Sequence, residues 1–125
     1  MLKLNPKYAE AYNNRGGIFT VKGQYDQAIT DFNLALAIDP RHANAYYNRG
    51  VAYYNKSLYD RAIADFNKSL ELDPKLADAY FNKALALEAA GRQAEAREAY
   101  AAFLRYAPPE AREQIEQAKI KIGKP

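Results

Sequence analysis

Three asparagines recur every 34 residues in this sequence, at Asn14, Asn48 and Asn82. The amide of an asparagine side chain offers both a hydrogen-bond donor and an acceptor, so it can pair with the N–H and C=O groups of one peptide unit. These three residues, called the asparagine row below, predict a surface that holds an extended peptide by its backbone. The alternative is that each amide caps a helix or bridges neighbouring repeats of the fold.

The rest of the sequence contains no group of residues typical of a catalytic site. His42 is the only histidine and cysteine is absent, so a histidine-based triad or a His/Cys metal site lacks partners. The only candidate for a phosphate-binding loop is the short stretch of Arg15, Gly16 and Gly17. It lies inside a predicted helix, where its glycines serve packing and do not form such a loop. We therefore predict no enzyme activity, no catalytic residue, no cofactor and no bound metal.

Composition and charge restrict the class of partner. The net charge is +3 and charges of both signs are mixed along the chain, whereas nucleic-acid binders concentrate positive charge on one face. Lys7, Arg41 and Lys75 recur after prolines; we interpret them as solubilising, the alternative being a shallow basic edge for an acidic partner or nucleic acid. No segment approaches the roughly 18 apolar residues of a membrane span. The lack of cysteine fits a reducing compartment such as the cytoplasm.

The spacing of the asparagines extends to the whole chain. Pro6, Pro40, Pro74 and Pro108 also recur every 34 residues, and segments 9–42 and 43–76 are identical at 17 of 34 positions. Within each copy, small and aromatic residues recur at steps of three and four, which is the period of an α-helix. Gly23 and Gly91 lie between two such stretches, and Ser57 takes the same place in the second copy at a conformational cost. Each copy is therefore a predicted helical hairpin that buries its apolar face by stacking.

Seven positions of each copy define the pattern. In the second copy they are Tyr46, Gly50, Tyr53, Ala62, Phe66, Ser69 and Pro74. This pattern resembles the tetratricopeptide repeat family over nearly the whole chain. The resemblance implies an all-α, right-handed solenoid of three helix-turn-helix repeats at 9–42, 43–76 and 77–108. The third copy departs most, with Phe103 where a small residue is usual.

The last part of the chain, 109–122, has the pattern of an amphipathic helix. Ala111, Ile115, Ala118 and Ile122 form one apolar stripe. We interpret this helix as a cap over the third repeat, which the end of a solenoid requires. The alternative is a mobile helix that docks into a groove.

Segment 1–8 matches the end of a repeat, because Leu2, Leu4 and Pro6 align with Leu36, Ile38 and Pro40. We interpret it as the remnant of a preceding repeat, so that the chain is part of a longer solenoid or a partner supplies the missing part. Part of the apolar surface of Tyr8, Tyr12 and Phe19, together with Leu2 and Leu4, would then be open. Such a patch predicts a homodimer through the N-terminal end, across a twofold axis, with the C-terminal end solvated.

The resemblance also implies a function. Members of the family bind partner segments in the concave groove lined by the first helix of each repeat. The candidate peptide-binding residues implied here are Asn13, Asn14, Asn44, Tyr47, Asn48, Val51, Tyr54, Asn55, Asp78, Phe81, Asn82 and Leu85. We therefore expect a protein–protein interaction module that binds an extended peptide segment. The alternative is a structural spacer or self-assembly module.

The resemblance further constrains the charge of the ligand. A well-known mode of the family holds acidic C-termini with lysine, arginine and asparagine at fixed positions. Of the corresponding residues here, Asn13, Gly17, Asp78 and Asn82 depart from that pattern and Asn48 matches it. We therefore expect a neutral-to-basic peptide, with Tyr47, Tyr54 and Phe81 offering rings to its apolar side chains.

Two ion-pair arrangements are compatible with the repeats. Arg15 and Asp31 share the first copy, and Arg49 and Asp65 share the second. In the third copy Lys83 and Ala99 replace the pair. Because both residues change together, we predict pairing within a repeat and not between Arg49 and Asp31 of the preceding one.

Overall fold

The structure is a computed structural model that describes residues 5–123, which form seven α-helices. The helices are α1 (Pro6–Val21), α2 (Tyr25–Ile38), α3 (Ala43–Asn55), α4 (Tyr59–Leu72), α5 (Ala77–Ala89), α6 (Gln93–Tyr106) and α7 (Arg112–Gly123). This range contains no strand, which confirms the predicted all-α class. Within it, no helix combines the length and apolar character that crossing a membrane requires.

The first six helices form three antiparallel hairpins that stack in chain order. α1 packs against α2, α3 against α4, and α5 against α6; between hairpins, α2 packs on α3 and α4 on α5. The first helices also contact one another, α1 with α3 and α3 with α5, whereas the second helices approach each other much less. The stack confirms the helical-repeat solenoid and places α1, α3 and α5 on its inner side.

Small residues set the distance between the two helices of a hairpin. A Cβ atom added to Gly50 would lie 2.7 Å from Cε1 of Phe66, and one added to Gly16 would lie 2.5 Å from Cε1 of Phe32. Both distances are shorter than carbon atoms tolerate, so the rings pack directly on the glycine backbone. In the third hairpin Ala84 takes this position and is buried.

The turn inside each hairpin needs a left-handed residue. Gly23 and Gly91 have φ angles of 77° and 81°, and Ser57 is held at 63° in the second hairpin. A side chain in this region costs about 1–2 kcal/mol relative to the right-handed conformation. The conformational cost predicted for Ser57 is therefore present in the structure.

The ion pairs lie within repeats, as predicted. Nε of Arg15 lies 2.7 Å from Oδ2 of Asp31, and Nη2 of Arg49 lies 2.8 Å from Oδ1 of Asp65. Arg49 also donates from Nη1 to Asn33 in the preceding hairpin, at 2.8 Å. The guanidinium of Arg49 therefore joins two neighbouring repeats while its carboxylate partner comes from its own.

The third hairpin has no such pair. Lys83 is half-buried, and within residues 5–123 it forms no ion pair. Burial lowers the pKa of its ammonium group, and the charges of Glu95 and Glu98 oppose that shift. Ala99 is buried in the place of the aspartate.

The C-terminal helix packs against α6. Ala118 is fully buried, and Ala111 and Ile115 pack against the core of the last two hairpins. Ile122 is 38% exposed, so the first three members of the predicted apolar stripe contact the core and the fourth does not.

The N-terminal end differs in part from the prediction. Leu2 and Leu4 lie outside the described residues. Tyr12 and Phe19 are half-buried, because Phe19 packs on Ala28 and Phe32 while Tyr12 packs on Ala35 and Leu36. Tyr8 is 59% exposed, as predicted, and the other large exposed apolar side chains of α1 are Ile18 and Val21, at 56% and 89% exposure.

Candidate functional site

The candidate site is the inner face of the solenoid, formed by one stripe of each first helix. Residues four, seven and eleven positions apart lie on the same side of an α-helix. The twelve residues of this inner face are Glu10, Asn14, Gly17 and Val21 on α1, Asn44, Asn48, Val51 and Asn55 on α3, and Asp78, Asn82, Leu85 and Ala89 on α5. All twelve are exposed or half-exposed, and since α1 contacts α3 and α3 contacts α5, they form one continuous surface.

Three rows of this face run from repeat to repeat. The asparagine row lies in the middle. On one side of it lies an acidic row of Glu10, Asn44 and Asp78, and on the other an apolar row of Gly17, Val51 and Leu85. None of the twelve residues is a lysine or an arginine, so the inner face has acidic character in a chain of net charge +3.

Two members of the asparagine row bridge neighbouring repeats. Asn48 donates from Nδ2 to Oδ1 of Asn13 at 3.0 Å, and Asn82 donates from Nδ2 to the hydroxyl of Tyr47 at 2.6 Å. The bridging role considered from the sequence is therefore present. Each amide has two N–H groups and one carbonyl, so one N–H and the C=O of Asn48 are left to pair with a peptide unit. The two roles of the row are compatible.

Tyr47 lies between the asparagine row and the acidic row. Burial, followed by the negative charge of Asp78, raises the pKa of its hydroxyl to about 12. Its ring centroid lies 5.8 Å from that of Phe66. The hydroxyl is protonated at neutral pH, accepts from Asn82, and has its own hydrogen to donate.

Two predicted site residues do not reach the surface. Asn13 and Phe81 are each 5% exposed. The side-chain oxygen of Asn13 accepts the hydrogen bond from Asn48. Phe81 packs edge-on against Phe103 and Tyr100, at centroid distances of 5.0 and 5.7 Å. The structure therefore corrects these two expectations: both side chains lie inside the solenoid, because their helix positions face the interior of the stack.

The remaining aromatic and polar candidates lie near the edge of the face. Tyr54 is half-buried and packs on Tyr59 at a centroid distance of 5.6 Å. Asn55 donates from Nδ2 to the carbonyl of Val51 at 3.0 Å, so part of its hydrogen-bonding capacity is used within its own helix.

Sequence reasoning missed a cluster at the C-terminal end of the inner face. Glu88 on α5 accepts a hydrogen bond from the hydroxyl of Tyr100 at 2.5 Å and lies 2.8 Å from Nζ of Lys121 on α7. Burial and the bond to Glu88 raise the pKa of Tyr100. The sequence feature that could have indicated this cluster is Lys121, a basic residue on α7. The cluster ties α7 to α5 as well as to α6.

Metal chemistry has no support in the part of the chain that the structure describes. No group of three or more histidine, aspartate or glutamate side chains there could hold a metal ion. The site consists of amides, two carboxylates and small apolar side chains, a combination suited to reversible hydrogen bonding with a polypeptide.

Comparison with known sequence families gives three matches. The family described as TPR repeat matches residues 16–57, and two families described as tetratricopeptide repeat match residues 43–76 and 66–98. None of the curated proteins compared with the sequence matches it.

Several solved structures are similar to this one. The second TPR domain of human RPAP3, in complex with the HSP70 peptide SGPTIEEVD, is 26% identical with a TM-score of 0.86; the match covers 97% of this chain and 100% of that one. The TPR2B domain of yeast Sti1, in a complex with pHsp70, is 29% identical with a TM-score of 0.85, covering 93% and 96%. The yeast Sti1 TPR2AB–pHSP90 complex is 28% identical with a TM-score of 0.85, covering 98% of this chain and 49% of that one.

Proposed function

The chain belongs to the tetratricopeptide repeat family, and on that premise we propose that it is a protein–protein interaction module that binds an extended peptide segment along its inner face. The observation that supports this most strongly is the likeness, over 97% of the chain, to a human domain described in complex with a peptide. The asparagine row supplies a physical means, because its open amide groups match those of a peptide backbone.

The charge of the inner face does not match that of the peptide named with the human domain. The peptide named with the human domain contains two glutamates and one aspartate. The twelve residues of the inner face include Glu10 and Asp78 and no basic residue, and Lys121 at its C-terminal end is paired with Glu88. An acidic peptide would therefore meet like charge. We therefore propose a neutral-to-basic peptide with apolar side chains at intervals.

Replacement of Asn48 tests the proposal. Against an array of unstructured nine-residue peptides, followed by calorimetry on the tightest binders, Asn48→Ala should weaken binding by roughly 1–3 kcal/mol, because a buried peptide group loses its partner. An unchanged affinity, or a preference of the wild type for acidic C-terminal peptides, would contradict it.

Asn13→Ala is the matched control. It removes the same bridge between repeats, since Asn13 is the acceptor for Asn48, but leaves the amide of Asn48 free for the ligand. We expect Asn13→Ala to lower fold stability and to retain most of the binding. If both variants lose the same binding affinity, the loss in Asn48→Ala comes from a weakened fold and not from a missing hydrogen bond between Asn48 and the peptide.

A second candidate function is self-association through the N-terminal end. Ala45 and Ala79 are fully buried against the preceding hairpin, as are Ala52 and Ala86. The equivalent residues of α1, Ala11 and Ile18, are exposed, because no helix of the described residues covers that side. We propose that this face associates with a second copy.

Sedimentation over a wide concentration range tests this candidate. The wild type should associate as its concentration rises, and Ile18→Glu should abolish association by placing a charge in the contact. Ile120→Glu, at a similarly exposed position on α7, should leave it unchanged. A strict monomer, or association indifferent to Ile18→Glu, would refute it.

A further inference from the structure

We infer that the ligand is an extended segment in which basic and apolar side chains point to opposite sides, with a lysine or arginine side chain placed against Asp78. This inference rests on the proposed function and specifies the ligand of the same inner face. It comes from the three parallel rows of that face and not from the peptides bound by similar proteins, which are acidic.

An extended chain fits the order of the rows. Its successive side chains point to opposite sides of the backbone. If the backbone lies along the asparagine row, one set of side chains points toward Glu10, Asn44 and Asp78, and the other toward Gly17, Val51 and Leu85. Carboxylates on one side favour basic side chains, and apolar groups on the other favour apolar ones.

Asp78 is the carboxylate best placed to accept a cation. It is exposed, and within residues 5–123 no hydrogen bond or ion pair occupies it. Asn82, one helical turn after Asp78 on the same side of α5, donates to the hydroxyl of Tyr47 at 2.6 Å, so Tyr47 lies beside the same part of the inner face. Glu10 is a weaker second site, because its Oε2 lies 3.4 Å from Nε2 of His42.

The apolar row changes in size along the solenoid. It runs from Gly17 through Val51 to Leu85, and a Cβ atom added to Gly17 would meet nothing within 4 Å. The open space at Gly17 suits a large apolar side chain, whereas Leu85 leaves room for a small one. This gradient gives the ligand a direction, with its larger apolar residue over the first repeat.

The distance between the carboxylates of Glu10 and Asp78 matches the distance between two side chains on the same side of an extended peptide. Packed helices lie about 8–10 Å apart, so Glu10 and Asp78, two helices apart, are separated by about 16–20 Å. An extended chain rises about 3.3 Å per residue, so this distance spans about five to six residues. A separation of six places both side chains on the same side, which predicts two basic residues six positions apart.

Peptide arrays with charge variants test the inference. The probes are nine-residue peptides that carry lysine, glutamine or glutamate at one position and are otherwise identical. The wild type should prefer lysine, Asp78→Asn should lose about fivefold in affinity for the lysine peptide, and Asp78→Lys should prefer glutamate.

Asp60→Asn is the matched control, because Asp60 is the second residue of α4 as Asp78 is of α5, and both are acidic residues of a first helical turn. It removes the same charge next to a helix N-terminus but away from the inner face, and it should leave the lysine preference unchanged.

The outcomes separate the two proposals. If Asp78→Asn keeps the lysine preference while Asn48→Ala loses binding, the inference fails and the proposed function stands. If the wild type prefers glutamate, the inference fails, and the neutral-to-basic ligand of the proposed function fails with it. If the wild type binds no peptide of any composition, both proposals fail.

Discussion

At the scale of residues, the pair of Arg49 and Asp65 shows how a charge is kept inside a repeat. Asp65 is 5% exposed, and its two carboxylate oxygens accept from Nε and Nη2 of Arg49, both at 2.8 Å. Asp65 raises the pKa of Arg49 by this hydrogen bond, while burial opposes the shift. Such a pair stabilises only when complete, because a lone buried charge is costly.

Removal of one charge should therefore destabilise the fold. Asp65→Asn keeps the shape but leaves the guanidinium of Arg49 without its anion, and we expect a loss of about 2–3 kcal/mol in the free energy of unfolding. Urea denaturation measures it, with Asp60→Asn on the exposed start of α4 as control. Equal losses in the two variants would refute a stabilising role for the pair.

Tyr47 predicts a dependence of stability on alkaline pH. Its pKa is raised from 10.0 to about 12 by burial and by Asp78, so its contribution is complete below pH 10 and is lost as the pH rises toward 12. Tyr47→Phe should therefore lose less stability over this interval than the wild type, in denaturant titrations at each pH. Tyr8→Phe, at an exposed site, should behave as the wild type; no difference between the two variants would contradict the account.

The ion pairs could be predicted from the sequence because the two partners change together: Arg and Asp in two copies, Lys83 and Ala99 in the third. The hydrogen bond between Asn48 and Asn13 could not be predicted from the sequence. The sequence places Asn48 on the same side of its helix as the other row members, but the exact rotation of α3 against α1 decides which side chain it meets. Phe81 was assigned to the groove for the same reason.

At the scale of elements, the helix contact in each of the first two hairpins depends on one glycine, Gly16 or Gly50. A Cβ at position 50 would lie 2.7 Å from the ring of Phe66, so Gly50→Ala should destabilise the fold by about 1–3 kcal/mol. Gly17→Ala, in the middle of α1 with open space around it, should instead stabilise by about 0.5–1 kcal/mol through helix propensity. Thermal unfolding compares them, and a stabilised Gly50→Ala would overturn the close-packing argument.

The turn of the second hairpin offers a gain in stability. Ser57 has a φ angle of 63°, where glycine is preferred. Ser57→Gly should raise the free energy of unfolding by about 1 kcal/mol, and Gly91→Ser should lower it by a similar amount, because Gly91 has a φ angle of 81°. Chemical denaturation measures both; a neutral Ser57→Gly would mean that other contacts already compensate the strain.

The hairpins themselves were predictable, since helical periodicity, turn residues and the 34-residue repeat all indicate the same elements. The face that α7 turns toward the core was predicted by Ala111, Ile115 and Ala118. The link between α7 and α5 was not predicted, because the ion pair of Lys121 and Glu88 joins two helices that are distant in sequence. Side chains that reach across elements depend on the superhelical geometry, which the repeat pattern does not specify.

At the scale of the whole molecule, repetition converts single residues into rows. One asparagine per repeat becomes a row of three because each first helix takes the same place in the stack. Among residues 5–123, stacking leaves one side of α1 uncovered, where Ile18 is exposed while Ala52 and Ala86 are fully buried. The proposed recognition along the inner face and the proposed association at the end therefore involve different surfaces, and each can be tested by its own substitution.

NMR of the side-chain amides, during titration with the tightest array peptide, tests whether a peptide binds along the asparagine row. We expect saturable shifts of the Asn48 and Asn82 amides and of backbone signals on α3 and α5. The amides of Asn33 and Asn67, on the exposed surfaces of α2 and α4, should not move. Shifts confined to α2, α4 and α6, with the asparagine row unaffected, would contradict it.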